Sequence, residues 1–173
     1  MPISSALYSS RSEEWGTPHE IFAALDAEFH FSLDPCATTA NARCPKFFTK
    51  TEDGLKQDWC GERVFMNPPY GKFIAQWMRK ARTEAGRGAL VVCLVHARTD
   101  TRWWHDHVEG IADEVRFVKG RLKFQKSGLR PSPAPFPSAI VIYRPGSCHG
   151  VVDTQAPNRS RKQTSQFGSQ INP

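Results

Sequence analysis

Asn67-Pro68-Pro69-Tyr70 is the segment of this 173-residue chain best suited to chemistry. Two consecutive prolines donate no ladder hydrogen bonds and hold the backbone extended, so a preceding strand has to end there. Their rigidity leaves the Asn67 amide oxygen and the Pro68 carbonyl as two fixed acceptors, with the Tyr70 ring beside them. Two acceptors and a stacking plate suit a planar group that carries an amino donor. Stripped of that chemistry, the same four residues are a strand-to-loop turn. Two more polar clusters follow apolar runs, Asp34-Pro35-Cys36-Ala37 and His96-Ala97-Arg98-Thr99-Asp100. Ligands collect at the carboxyl ends of strands in open α/β sheets, so three clusters at such ends say more than any one.

The elements that must carry these clusters alternate in type. Thr17-Pro18 opens a helical stretch, HEIFAALDAEF, with Ile21, Phe22, Leu25 and Phe29 at helical spacing. The short apolar run FHFSL then stops at Asp34-Pro35, and residues 36–60 are polar and irregular. RVFM reads as a buried strand ending at Asn67. KFIAQWMRKARTEA is an amphipathic helix bracketed by Gly86 and Gly88. ALVVCLV has the continuous apolar character of a strand covered on both faces. RWWHDHVEGIA reads as helix with Trp103 and Trp104 as core, EVRFV and RLKF as strands, and SAIVIY as a last strand before Pro145. This order predicts one α/β domain over residues 13–145 with a largely parallel sheet. Polar segments at 1–12 and 146–173 have little to bury and are expected to be disordered.

Composition narrows the class. No apolar run approaches the roughly 20 residues that span a bilayer, and the first residues lack a signal-peptide core. The chain has 23 Lys and Arg against 17 Asp and Glu, a formal charge of +6, which permits a polyanionic partner. Five cysteines without paired spacing fit a reduced, cytosolic protein. Metal binding is not expected: Cys36, Cys44 and Cys60 are irregularly spaced, and His105 and His107 do not share a helix face. No phosphate-cradling loop with an adjacent lysine is present either.

A wider pattern carries a resemblance. Trp15-Gly16-Thr17-Pro18, Leu33-Asp34-Pro35-Cys36-Ala37, Asp53-Gly54-Leu55 and Asn67-Pro68-Pro69-Tyr70-Gly71 follow one another in order. Trp77, Lys80-Ala81, Arg98-Thr99-Asp100-Thr101, Trp103-Trp104-His105, Gly120 to Phe124 and Ala134 to Ala139 continue it. Over residues 13–145 the chain resembles the phage-type, Dam-like DNA N6-adenine methyltransferases. That resemblance implies a compact Rossmann-like, S-adenosylmethionine-dependent methyltransferase fold. With about 32 residues between Asp34 and Asn67, the sheet is expected to be trimmed there.

The resemblance also implies roles. Asn67 and Pro68 would accept hydrogen bonds from the target amine, and Tyr70 would stack on the base, with Pro69 holding the turn. Trp15, Thr17 and Pro18 match the segment that closes over the methionine end of the cofactor. Asp34, Pro35, Cys36 and Ala37 match the cofactor loop, and Asp53 or Asp58 could meet an adenosine or ribose group. Lys72, Arg79, Arg98, Arg102 and Arg121 would supply phosphate affinity, with Asp100 orienting an arginine. The implied partner is double-stranded DNA, bound by a monomer with loops 36–60 and 125–137 reading the target. Cytosine N4 or a protein glutamine amide could meet the same motif, and a catalytically silent DNA-binding phage protein could keep the fold.

Overall fold

The computed structural model describes residues 16–126 and 129–146. Its six-stranded sheet has the order β2-β1-β3-β4-β8-β5, and a separate hairpin pairs β6 with β7. The strands are β1 (Leu33–Asp34), β2 (Lys46–Phe47), β3 (Arg63–Met66), β4 (Leu90–His96), β5 (Glu114–Phe117), β6 (Lys123–Lys126), β7 (Leu129–Pro133) and β8 (Ser138–Tyr143). β1 to β4 are mutually parallel, and β8 runs antiparallel to both β4 and β5. One reversed strand therefore sits inside an otherwise parallel sheet. Between β1 and β3 the chain forms only the two-residue β2 and a short 3-10 turn, Gly54–Lys56, which is the expected trimming.

The apolar run of β4 shows why the sheet sits at the centre. Val91, Cys93 and Val95 point to one face and Leu90, Val92 and Leu94 to the other, as a period of two requires. Val91 to Val95 are all fully buried. On the first face α2 (Ile74–Gly86) contributes Ile74, Trp77, Met78, Ala81 and Ala85, and α3 (Arg102–His107) adds Trp103 and Trp104. On the other, α1 (His19–Phe29) contributes Phe22, Leu25 and Phe29, joined by Leu122 and Phe124 near the hairpin. Each large side chain so buried contributes about 1.5–3 kcal/mol.

Three elements depart from the sequence reading. The FHFSL run yields strand only at Leu33 and Asp34. Helix α3 stops at His107, because Gly110 takes a left-handed φ of 68° and turns the chain back toward β5. RLKF enters the hairpin at Lys123, paired with a strand, β7, that carries Pro131 and Pro133. The ends 1–12 and 147–173 lie outside the described residues, as does Trp15. Among the described residues no helix is long and apolar enough to cross a membrane.

One polar group fastens the irregular segment to this frame. Glu84, buried on α2, accepts the Trp59 backbone N–H at 3.0 Å, Lys80 Nζ at 2.8 Å and Arg87 Nη1 at 2.9 Å. Trp59 in turn donates its indole N–H to the Gly54 carbonyl at 3.0 Å and stacks on Trp77. Glu84→Ala leaves a buried N–H and a half-buried ammonium without their acceptor, so stability should fall by about 3 kcal/mol in urea unfolding. A loss below about 1 kcal/mol would show the network to be dispensable.

Candidate active site

A cavity opens at the carboxyl ends of β1 and β3. Gly16, Thr17, Asp34 to Thr38, Asn41, Arg43, Thr49, Lys50, Asp53, Gly54, Phe65, Asn67, Pro69 and Trp77 line it. Chain segments remote in sequence converge there because adjacent parallel strands end on the same edge.

Asp34 ends β1 and shapes the loop after it. Its carboxylate accepts the Cys36 N–H at 3.4 Å and the Arg43 N–H at 3.3 Å, while the backbone bonds Phe48 N to Asp34 O and Ala37 N to Phe48 O zip the loop to the 46–48 segment. Burial pushes the Asp34 carboxyl up to about 6, and the two backbone N–H groups only partly oppose it. The Cys36 thiol, beside that acid and receiving the Asn67 backbone N–H, is pushed well above its ordinary value by burial. It stays a neutral thiol in the cavity wall.

Asn67 leaves β3 directly into the cavity. Its Nδ2 donates to Thr17 Oγ1 at 3.0 Å, and the Thr17 carbonyl accepts Arg43 Nη2 at 2.6 Å. Thr17, itself only 4% exposed, thereby joins the motif after β3 to the loop after β1.

Tyr70 lies behind the cavity, 7% exposed, with its hydroxyl donating to the Leu94 carbonyl at 3.4 Å. Its ring meets His96, Phe136 and Phe124 edge-on at centroid distances of 4.9, 5.3 and 6.3 Å. Burial raises the Tyr70 phenol and lowers His96 to about 4, so both are neutral near pH 7. An aromatic wall with no ionised member follows the Pro68-Pro69 turn.

The other residues expected at the site divide. Thr17, Asp34, Pro35, Cys36, Ala37, Asp53, Asn67 and Pro69 line the cavity; Pro18 and Pro68 are buried but do not. Asp53 caps the 3-10 turn through the Leu55 N–H, whereas Asp58 faces Arg87 on the surface, so Asp53 is the acid at the cavity. Lys72 and Arg98 follow the adjacent strand ends of β3 and β4, and Arg102 opens α3. Arg98 pairs with Asp100 at 3.4 Å on the surface, and Arg102 pairs with Asp106 at 3.3 Å. Arg79 lies part-way along α2 and acts on His107 at the end of α3; Arg121 is exposed before β6.

Sequence reasoning missed Arg43, Asn41 and Thr38. They lie in the irregular segment, where no periodicity marks an inward face; Asn41 Oδ1 accepts the Thr38 N–H at 2.6 Å and so shapes the cavity rim. Gly54 was visible only as part of a motif. Among the described residues no three His, Cys, Asp or Glu side chains come together as metal ligands would.

A parallel sheet with one reversed strand, covered on both faces and with a cavity at its carboxyl edge, is that of a Rossmann-like methyltransferase domain. The chain belongs to the DNA N-6-adenine-methyltransferase (Dam) family, whose model matches residues 4–166. It is 26% identical over 154 residues to the DNA N-6-adenine-methyltransferase of Haemophilus phage HP1 (strain HP1c1), covering 87% of this chain and 89% of that protein. To the DNA N-6-adenine-methyltransferase of Escherichia phage T1 it is 28% identical over 103 residues, 58% of this chain and 43% of that one. The family makes this chain an adenine-specific DNA methyltransferase.

Proposed function

We propose that the chain transfers a methyl group from S-adenosylmethionine to N6 of an adenine turned out of double-stranded DNA. The observation that carries this reading is the bond from Asn67 Nδ2 to Thr17 Oγ1. It joins the amine-accepting motif to the wall of the cavity that Asp34 and Asn67 both line.

The cavity suits the cofactor chemically. Phe65, Trp77 and Pro35 offer apolar surface for a planar base, Asp53 a hydroxyl acceptor, and Asp34 a carboxylate for a cationic amino group. When bound, the cofactor supplies an electrophilic methyl group on a sulfonium. Asn67 and Pro68 would hold the N6 amino group by its protons and leave its lone pair free to attack, with the buried aromatic wall around Tyr70 behind them. No strong general base is needed, since the nitrogen sheds its proton after attack. Turning the base out costs roughly a few kcal/mol. Lys72, Arg98, Arg102 and Arg121, with Arg79 further along α2, supply salt-dependent phosphate affinity that offsets it. The protein acts as a monomer on DNA, with a target that is either short or loosely read, in the cytoplasm of a bacterial host.

Incubation with labelled S-adenosylmethionine and unmethylated DNA, then nucleoside digestion and mass spectrometry, tests the reading. N6-methyladenine is the expected product. N4-methylcytosine would correct the base, and an unlabelled DNA despite cofactor binding would overturn the substrate.

Asp34 gives a pH test with two opposite signs. Its carboxyl titrates near 6 in the folded protein against about 4 unfolded, so folding favours the protonated form. That stabilisation is complete below pH 4 and is lost as pH rises through 6. A ligand ammonium needs the ionised form, so cofactor affinity should rise as pH climbs through 6 and level off above it. Isothermal titration between pH 5 and 8 should show that slope, and Asp34→Asn should flatten it. A slope of equal steepness in the variant would assign the titration to another group.

A further inference from the structure

Arg43 lines the cavity with a guanidinium that, among the described residues, has no ion-pair partner. Its Nη2 donates to the Thr17 carbonyl at 2.6 Å, and its backbone N–H is spent on Asp34. Its Nε is buried, and among the described residues no acceptor reaches it and no carboxylate lies within ion-pair distance of the guanidinium. A buried donor on a cation is unfavourable unless an anion arrives to take it. A guanidinium is also the side chain whose geometry matches a carboxylate best. Asp34, whose carboxylate feels Arg43 without pairing with its side chain, stands beside it. An acid and a base held apart on one cavity wall are complementary to an α-amino-acid zwitterion, whose ammonium and carboxylate leave the same carbon.

We propose that Arg43 is the residue that binds the α-carboxylate of the cofactor's amino-acid end, with Asp34 taking the adjacent ammonium. This rests on the reading of the cavity as the S-adenosylmethionine site. Arg43 holds the Thr17 carbonyl at the same time, so carboxylate binding and the Thr17–Asn67 contact share one side chain. Occupancy of the amino-acid subsite is thereby felt at the residue that grips the target amine.

The test compares S-adenosylmethionine with its decarboxylated analogue, which keeps the adenosine, sulfonium and amine. In calorimetric titrations the wild-type protein should bind S-adenosylmethionine at least about tenfold tighter than the analogue, as a charge-assisted hydrogen bond implies. In Arg43→Gln that preference should shrink to within about twofold, with affinity for the analogue little changed. Arg43→Lys keeps the charge without the fork and should retain only part of the preference; it stands in if the glutamine variant fails to fold. Undiminished preference in both variants overturns the assignment while leaving the cavity as the cofactor site. Failure of the wild-type protein to bind either compound overturns that site, and the assignment with it.

Discussion

Asn67→Ala is expected to lower methyl transfer to DNA by about three orders of magnitude while changing cofactor affinity less than about threefold. Asn67 follows β3 at a point where two prolines restrict the backbone, so its amide cannot be replaced by a neighbour. The bond from its Nδ2 to Thr17 Oγ1 holds the side-chain amide in place at the cavity where the target amine is proposed to be gripped. An acceptor fixed before the reaction begins is worth more than one that must be oriented, because no reorganisation is required in the transition state. Alanine removes the acceptor and leaves Asp34, Asp53 and the apolar walls of the cavity in place. Transfer from labelled cofactor, read beside calorimetric binding on the same preparation, separates the two quantities. Equal loss of both would mean that Asn67 serves the cavity and not the transfer step, and the proposed roles would have to be reassigned.

The contrast between Asn67 and Arg43 shows what a sequence discloses about this site. Asn67 was legible because its neighbours restrict the chain locally: two prolines, an apolar strand before and an amphipathic helix after. The limits of α1, β3 and β8 were legible for the same reason, each having a period and a local stop. Arg43 has no such marker. Its significance comes from Thr17, 26 positions earlier, and from the folding of an irregular segment that buries its Nε. Strand β7 was hidden for a different reason. Pro131 and Pro133 argue against a strand in a sheet interior, yet β7 pairs on one side only, with β6, where an unbonded edge tolerates proline. Helix α3 read too long because Ile111 and Ala112 continue its apolar spacing, while the left-handed backbone at Gly110 had already ended it. Periodicity reports which residues are buried; it does not report whether the chain between them is still helical.

Gly54→Ala should damage the fold and the cavity together, by a route that no contact of a glycine side chain could suggest. A β-carbon at position 54 would lie 2.0 Å from the Pro35 carbonyl oxygen and 3.0 Å from its carbon, both backbone atoms. Neither partner can easily move. Pro35 follows Asp34 at the end of β1, in a loop zipped to residues 46–48, and the Gly54 carbonyl is held by the buried indole of Trp59 at 3.0 Å. Trp59 is itself anchored to Glu84 on α2, so displacing Gly54 strains a chain of bonds that ends in the helical layer. A stability loss of about 3 kcal/mol is expected, at the upper end for an overpacked site. Asp53 and Pro35 both line the cavity, so cofactor affinity should fall at least about tenfold as the two walls are pushed apart. Gly88→Ala supplies the comparison. It meets no atom within 4 Å and suffers only from its φ of 105°, so its loss should be about 1–2 kcal/mol with affinity unchanged. Urea unfolding and calorimetry on the two variants distinguish close approach from backbone strain. Were Gly54→Ala to match Gly88→Ala in both measurements, the contact between the Gly54 turn and Pro35 would not be what keeps the two cavity walls in register.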